Sequence, residues 1–184
     1  MYIVIGASSF IGVYTVDEFI KQGCEVTVTG RNNKFREHYD RLGVPYINLD
    51  LTEKKDFDKL PKEGVDGVIL LAGLLPANAQ VDLNTDENAA DYFEINTIGT
   101  INVLEYCRKN GIKRVISNCS YADVRGAWGK GVITEDEPRD FIYTGDHAVY
   151  VFSKNAANDV LEYYNQQHGM KNAWFRFPPV YGVG

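Results

Sequence analysis

The chain has 184 residues, 45% hydrophobic and 24% charged, so its length and composition are those of about one globular domain. A net charge of −6 without a Lys/Arg-rich run argues against a nucleic-acid or anionic-membrane surface, and no apolar run approaches the length of a membrane span. The three cysteines have neither paired nor metal-type spacing, and a strand follows Met1 directly. We therefore predict no metal site, no signal peptide and a cytoplasmic location.

The first two dozen residues predict a strand, a glycine turn and a helix. The β-branched run Tyr2–Ile5 leads into the turn GASSFIG, after which apolar residues recur at helical spacing. This order is typical of the first unit of a dinucleotide-binding fold, in which a pyrophosphate lies on the free N–H groups of a helix N-terminus. Gly6 would allow a sharp turn and Gly12 close packing of the helix on the strand. One glycine of the pattern is missing, at Ser9 or Phe10 depending on the alignment, and an ordinary Gly/Ser turn is the alternative.

Strands and helices alternate along the rest of the chain. Apolar runs predict strands at 25–29, 44–49, 66–72, 113–117 and 173–177, and helices are predicted at 35–42, 53–60, 89–110 and 146–168. A polar stretch covers 76–88, and the loop at 122–145 is longer than a structural connection needs, which indicates function. The alternation predicts an α/β, Rossmann-type doubly wound parallel sheet of six or more strands, order 3-2-1-4-5-6, with helices on both faces. Its ligand should lie at the carboxyl ends of strands one and four.

Tyr150 and Lys154 are four residues apart on the last predicted helix, so one helix face presents both. A tyrosine with its reference pKa of about 10 is a poor base near neutral pH. A neighbouring ammonium should lower that pKa and make the tyrosine a general base for a hydroxyl proton while hydride leaves the carbon. A solvated helix pair is the alternative.

Several ordered motifs resemble the extended short-chain dehydrogenase/reductase family, in particular its NAD-dependent epimerase/dehydratase branch, which acts mainly on nucleotide sugars. The resemblance covers essentially the whole chain. The motifs are Phe10-Ile11-Gly12, Asp50-Leu51-Thr52, Leu71-Ala72-Gly73, the segments at 96–105, 133–136 and 176–182, and the Tyr150–Lys154 pair.

The resemblance implies roles for individual residues. Asp50 would hydrogen-bond the adenine, although it could instead cap the following helix, and Asn96 would brace the active-site helix. Lys154 would also hold the nicotinamide ribose. The other implied cofactor-binding residues are Gly6, Ser8, Ser9, Phe10, Ile11, Gly12, Leu51, Leu71, Ala72, Gly73 and Phe177.

The chain departs from the family pattern after strand five. The family has a Ser or Thr there that hydrogen-bonds the reacting oxygen. Alignment puts Tyr121 at that position and Ser120 one residue early, and we predict Ser120 with a local bulge. Ala122 and Asp123 stand where sugar 4,6-dehydratases have Asp-Glu, so the dehydratase acid is absent and redox or epimerase chemistry is favoured.

The second departure concerns the cofactor. NAD-specific folds place Asp or Glu at the end of strand two, whereas this chain has Gly30-Arg31-Asn32. Arg31, with Lys34 or Arg36, could bind a 2′-phosphate, which favours NADP over NAD; a solvated basic turn is the alternative.

The leading hypothesis is an NAD(P)-dependent oxidoreductase/epimerase acting on a hydroxyl or keto carbon of a nucleotide sugar, with Tyr150, Lys154, Ser120 and Asn96 as the catalytic set. The alternatives are an NADPH-dependent carbonyl reductase and a non-catalytic dinucleotide sensor. Residues 1–184 should form the NAD(P)-binding domain, without the C-terminal lobe that supplies most substrate contacts in the family. A homodimer through the two long helices is also expected.

Overall fold

The computed structural model describes residues 1–76, 89–145 and 147–182. Its six strands form one parallel sheet in the order β3-β2-β1-β4-β5-β6, which confirms the predicted fold. The strands are β1 (Tyr2–Ile5), β2 (Val26–Gly30), β3 (Tyr46–Asn48), β4 (Gly67–Leu70), β5 (Val115–Ser120) and β6 (Ala173–Phe177). The α-helices are α1 (Phe10–Lys21), α2 (Arg36–Arg41), α3 (Ala89–Tyr92), α4 (Gly99–Lys109) and α5 (Ala148–His168).

Helices cover both faces of the sheet because successive residues of each buried strand point to opposite sides. On β1, Ile3 and Ile5 enter a core with Val103 and Leu104 of α4. Val4, between them, enters a second core with side chains of α1 and α2. Within the described residues, no helix is long and apolar enough to cross a membrane.

Several element boundaries differ from those predicted. Strand β5 continues three residues beyond the predicted end at Ser117, because β6 pairs with it as far as Ser120. The predicted helix at 53–60 is a 3-10 helix, Lys54–Lys59, and further 3-10 turns cover Asn33–Phe35 and Tyr121–Ala127. Residues 77–88 of the predicted polar stretch, the expected helix start at Asp146, and residues 183–184 lie outside the described residues.

The helix predicted at 89–110 is not uniform. Between α3 and α4 the residues Phe93–Ile98 form a π-helical turn, in which the hydrogen bonds span five residues instead of four. Such turns are rare and are often found at functional sites. This turn contains Asn96, which is buried.

Candidate active site

A cleft of about 500 Å³ opens at the carboxyl ends of β1, β2 and β4, where the fold predicted a ligand. It contains most of the predicted cofactor-binding residues. Those that line it are Gly6, Ser8, Ser9, Arg31, Asp50, Leu51, Leu71, Ala72 and Gly73.

The glycine turn after β1 is as tight as its sequence predicts. Gly6 has φ of +90°, and a Cβ there would lie 2.7 Å from the Cα of Ala72. A Cβ on Gly12 would lie 2.8 Å from the Cα of Ala7, so the close approach of α1 is to the turn at the end of β1. Ser9 caps α1: its Oγ accepts a hydrogen bond from the Gly12 N–H at 3.1 Å and donates one to the Gly6 carbonyl at 2.8 Å.

Two other parts of the cleft carry charged groups. Arg31 is exposed at the end of β2, whereas Arg36 donates to the Tyr46 carbonyl at 3.0 Å and so holds β3. Asp50 uses its Oδ1 to accept hydrogen bonds from the N–H and hydroxyl of Thr52, at 2.9 and 2.8 Å. The helix that follows begins after Glu53, so the alternative that Asp50 caps it is wrong.

Tyr150 and Lys154 lie on α5 and are buried, with 7% and 4% of their surfaces exposed. Ser120, the last residue of β5, lies beside Tyr150 and acts to lower the pKa of its phenol, and its Oγ accepts a hydrogen bond from the Ala122 N–H at 3.1 Å. The neighbouring Tyr121 instead stacks its ring on Trp128, at 5.0 Å between ring centroids. The structure therefore brings Ser120, and not Tyr121, to the tyrosine.

The pKa values at this site do not follow the sequence-based expectation. Burial, followed by the neighbouring Cys119, raises the pKa of Tyr150 to about 12; the hydrogen bond from Ser120 opposes this and Tyr92 adds to it. Burial lowers the pKa of Lys154 to about 8. The prediction of a lowered tyrosine pKa is therefore wrong, because desolvation of the phenol outweighs any effect of the nearby ammonium.

Asn96 joins three parts of the site. Its Oδ1 accepts from the Leu74 N–H at 2.8 Å, and its Nδ2 donates to the Leu74 carbonyl at 3.1 Å and to the Ser153 hydroxyl at 3.0 Å. Ser153 in turn donates to the Tyr150 carbonyl at 2.7 Å. The π-helical turn is thus attached to α5 between Tyr150 and Lys154.

Gly73 connects the cleft with the buried pair on α5. A Cβ on Gly73 would lie 2.9 Å from Asn96 Oδ1 and 3.9 Å from Lys154 Nζ. The chain after β4 therefore passes close to the ammonium, and a Cβ at position 73 would clash with the Asn96 side chain while only touching Lys154.

Asn118 is a site residue that the sequence analysis missed. Its Oδ1 accepts a hydrogen bond from Lys154 Nζ at 3.0 Å. The residue lies in the part of β5 beyond the predicted strand end, and neither its type nor its spacing belongs to a motif.

Some predicted residues lie apart from this site. Phe10 and Ile11 stand at the start of α1, and Phe177 stacks on Phe175 of β6; none of them lines the cleft. Asp123 has no exposed surface, and its Oδ2 pairs with Arg176 Nε at 3.0 Å. It is therefore committed to the connection between β5 and β6.

The sequence is similar to a known protein family and to individual relatives. Residues 2–184 match the sequence model of the NAD-dependent epimerase/dehydratase family. A UDP-glucose 4-epimerase of Pisum sativum is 31% identical over 73% of this chain and 40% of its own length. UDP-glucuronate 4-epimerase 3 of Arabidopsis thaliana is 26% identical over 98% of this chain and 42% of its own length.

The fold also matches solved structures. The crystal structure of Thermus thermophilus UDP-glucose 4-epimerase in complex with NAD superimposes with a TM-score of 0.76, at 25% identity, over 98% of this chain and 56% of that one. The chain thus spans about half the length of the relatives that it matches.

Proposed function

Because this chain belongs to the NAD-dependent epimerase/dehydratase family, we propose that it is the dinucleotide-binding and catalytic part of a nucleotide-sugar 4-epimerase, with UDP-glucose as the first substrate to test. The observation that carries the proposal is the position of Ser120 beside Tyr150, one helical turn from the buried Lys154, whose ammonium donates to Asn118 at 3.0 Å. Such a set can move a proton at a substrate oxygen while hydride leaves or returns at the carbon.

The residues of the cleft fit a dinucleotide. The turn from Gly6 to Ser9 presents the N-terminus of α1 to the cleft, which suits a pyrophosphate, and leucine side chains also line the cleft. Gly73 leads from this cleft to Lys154. When bound, NAD supplies the hydride acceptor and donor that no amino-acid side chain provides.

The proton chemistry falls to Tyr150. In the sugar-oxidising direction its phenolate oxygen accepts the hydroxyl proton, and in the reverse direction the phenol donates that proton to the keto oxygen. The raised pKa favours the phenol, so the positive charge of Lys154 is needed to make the phenolate accessible. Ser120 would hydrogen-bond the same substrate oxygen.

Replacement of Tyr150 by Phe tests this role in the full natural protein. The variant should lose UDP-glucose epimerisation by about a hundred- to ten-thousandfold, because the proton carrier is removed, and should keep dinucleotide binding in calorimetric titrations. Tyr164→Phe is the matched control: Tyr164 lies on the same helix and hydrogen-bonds Glu105 at 2.6 Å, away from the site. If Tyr150→Phe kept most of the activity, the proposal would be wrong.

An NADPH-dependent carbonyl reductase is the second candidate, and Arg31 favours it. This exposed guanidinium at the cleft stands where an NAD-specific protein has an acid, so we propose that it binds a 2′-phosphate. Cofactor retention separates the two functions, since an epimerase keeps its dinucleotide through gel filtration and a reductase releases it in each turnover.

Three further parts of the proposal concern the whole protein. We expect additional polypeptide to complete the substrate side, a cytoplasmic location in keeping with the free cysteines, and a homodimer. The dimer surface would include Ile98, which is 46% exposed, whereas Val103, Leu104, Val151 and Leu161 of the same two helices are buried in the protein's own core. Light scattering of the wild type and of Ile98→Glu tests the dimer, which the variant should dissociate.

A further inference from the structure

The buried ammonium of Lys154 has one hydrogen-bond acceptor in the described part of the chain, the side-chain oxygen of Asn118 at 3.0 Å. We infer that Asn118 is a positioning residue, which holds the Lys154 ammonium in place without cancelling its charge. This inference rests on the proposed function for its catalytic meaning, but its geometry stands independently.

The spacing along β5 matches the spacing along α5. Asn118 and Ser120 are two residues apart on a strand, which advances them by about 6.6 Å. Tyr150 and Lys154 are four residues apart on a helix, which advances them by about 6 Å. Ser120 lies beside Tyr150 and Asn118 accepts a hydrogen bond from Lys154, so the two elements meet at two successive positions.

A neutral acceptor suits the role of this lysine. A carboxylate at position 118 would form a salt bridge, neutralise the ammonium and draw it toward β5. The amide of Asn118 accepts the hydrogen bond and leaves the positive charge of Lys154 available to favour the phenolate of Tyr150. The same lack of a counter-charge is why burial lowers the pKa of Lys154 to about 8.

Among the residues that the structure describes, few groups face Lys154 from the surrounding elements. Cys119 on β5 is the titratable neighbour, and burial raises its pKa to about 11, which keeps it a neutral thiol near pH 8. The backbone of Gly73 approaches from the chain after β4, with Asn96 of the π-helical turn next to that glycine, and both residues are uncharged. On its own helix the lysine has Tyr150, a neutral phenol in the same pH range. Asn118 is thus the polar partner whose replacement should move the titration of Lys154.

The experiment is a direct titration of the lysine by NMR in protein carrying lysine labelled with carbon-13 at Cε, with the Lys154 signal assigned as the one that Lys154→Met removes. The wild-type signal should titrate near pH 8. Asn118→Asp should raise this midpoint by about one pH unit or more, and Asn118→Leu, of similar size, should lower it by a comparable amount, as expected for a hydrogen bond to a charged group.

Asn172→Leu is the matched control. Asn172 accepts from the Val115 N–H at 2.9 Å, so it supports the same strand away from Lys154, and its loss should leave the Lys154 midpoint unchanged. Cys119→Ala should also leave it near the wild-type value. The inference is overturned if both Asn118 variants titrate as the wild type does, or if Asn172→Leu shifts the midpoint equally. Should the leucine variant fail to fold, the aspartate variant decides alone.

Activity provides a second, separable measurement. In the full protein, the pH dependence of kcat/KM should move with the NMR midpoint in each Asn118 variant, whereas a merely structural loss would lower the rate at all pH values alike. If the NMR midpoint moves and Tyr150→Phe retains activity, the proposed function fails and the assignment of Asn118 to Lys154 stands. If the midpoint does not move, the assignment of Asn118 fails, whatever the activity.

Discussion

Replacement of Lys154 by Met should stabilise the protein near neutral pH. Met has a similar length and shape but carries no charge, so the variant avoids the desolvation of a buried ammonium. The pKa of Lys154 is about 8 in the folded protein, against 10.5 for an unperturbed lysine. At about 1.4 kcal/mol per pKa unit, this difference corresponds to about 3 kcal/mol.

The stability difference between Lys154→Met and the wild type should depend on pH. Between pH 8 and pH 10.5 the unfolded chain binds the lysine proton more strongly than the folded chain does, so the contribution of Lys154 to the free energy of unfolding rises with pH in this window. The advantage of Lys154→Met over the wild type should therefore shrink by about 2–3 kcal/mol between pH 7 and pH 10.

Urea unfolding of both proteins at several pH values measures this difference. The raised pKa values of Cys107 and Cys119 act in the opposite direction at alkaline pH, but they affect both proteins and largely cancel in the difference. Lys171→Met, at an exposed lysine, is the control and should change the free energy of unfolding by no more than the ~0.5 kcal/mol usual for surface substitutions. A Lys154→Met difference that changed by less than about 0.5 kcal/mol, the usual range of surface substitutions, would refute the reasoning.

Four other experiments test the structure. Gly12→Ala should destabilise the fold and weaken dinucleotide binding, because its Cβ has no room against the turn at Ala7; binding equal to the wild type would contradict this. Asp123→Ala should cost about 3 kcal/mol or more in urea unfolding, because it leaves Arg176 without its buried partner, and a loss below about 1 kcal/mol would show the pair to be dispensable. Arg31→Ala should weaken NADPH binding selectively in titrations with NADPH and NADH, and an equal effect on both would remove the 2′-phosphate proposal. The 184-residue chain should bind a dinucleotide but turn over UDP-glucose poorly in comparison with a chain that carries the additional polypeptide proposed above, and full turnover would place the whole substrate site within these residues.

The order of the sheet was predictable because strands that alternate with helices leave few right-handed arrangements. The turn at Gly6 and Gly12 was predictable because only glycine fits backbone that approaches so closely. The length of β5 was not predictable, because its last three residues are polar or small. They are held by pairing with β6, which lies more than fifty residues away in sequence.

The features of the site were likewise predictable where they depend on local spacing and not where they depend on residues distant in sequence. The pair on α5 was found from its spacing, which is local. The direction of the pKa of Tyr150 was missed because it depends on burial by distant residues such as Tyr92 of α3. Asn118 was missed for the same reason, since an asparagine near a strand end has no significance until α5 brings Lys154 to it.

The π-helical turn at Phe93–Ile98 has a consequence for insertions and deletions. Such a turn holds one residue more than an α-helical turn does, so α3 and α4 are out of step by one position. Deletion of a single residue here would let one continuous α-helix form, and α4 would keep its packing in the core. The same deletion would rotate the residues on the N-terminal side of the deleted position by about 100° about the helix axis. Asn96 would then turn away from Leu74 and Ser153. A sequence one residue shorter at this point would therefore be expected to keep the sheet and its helices while losing the link that fixes α5.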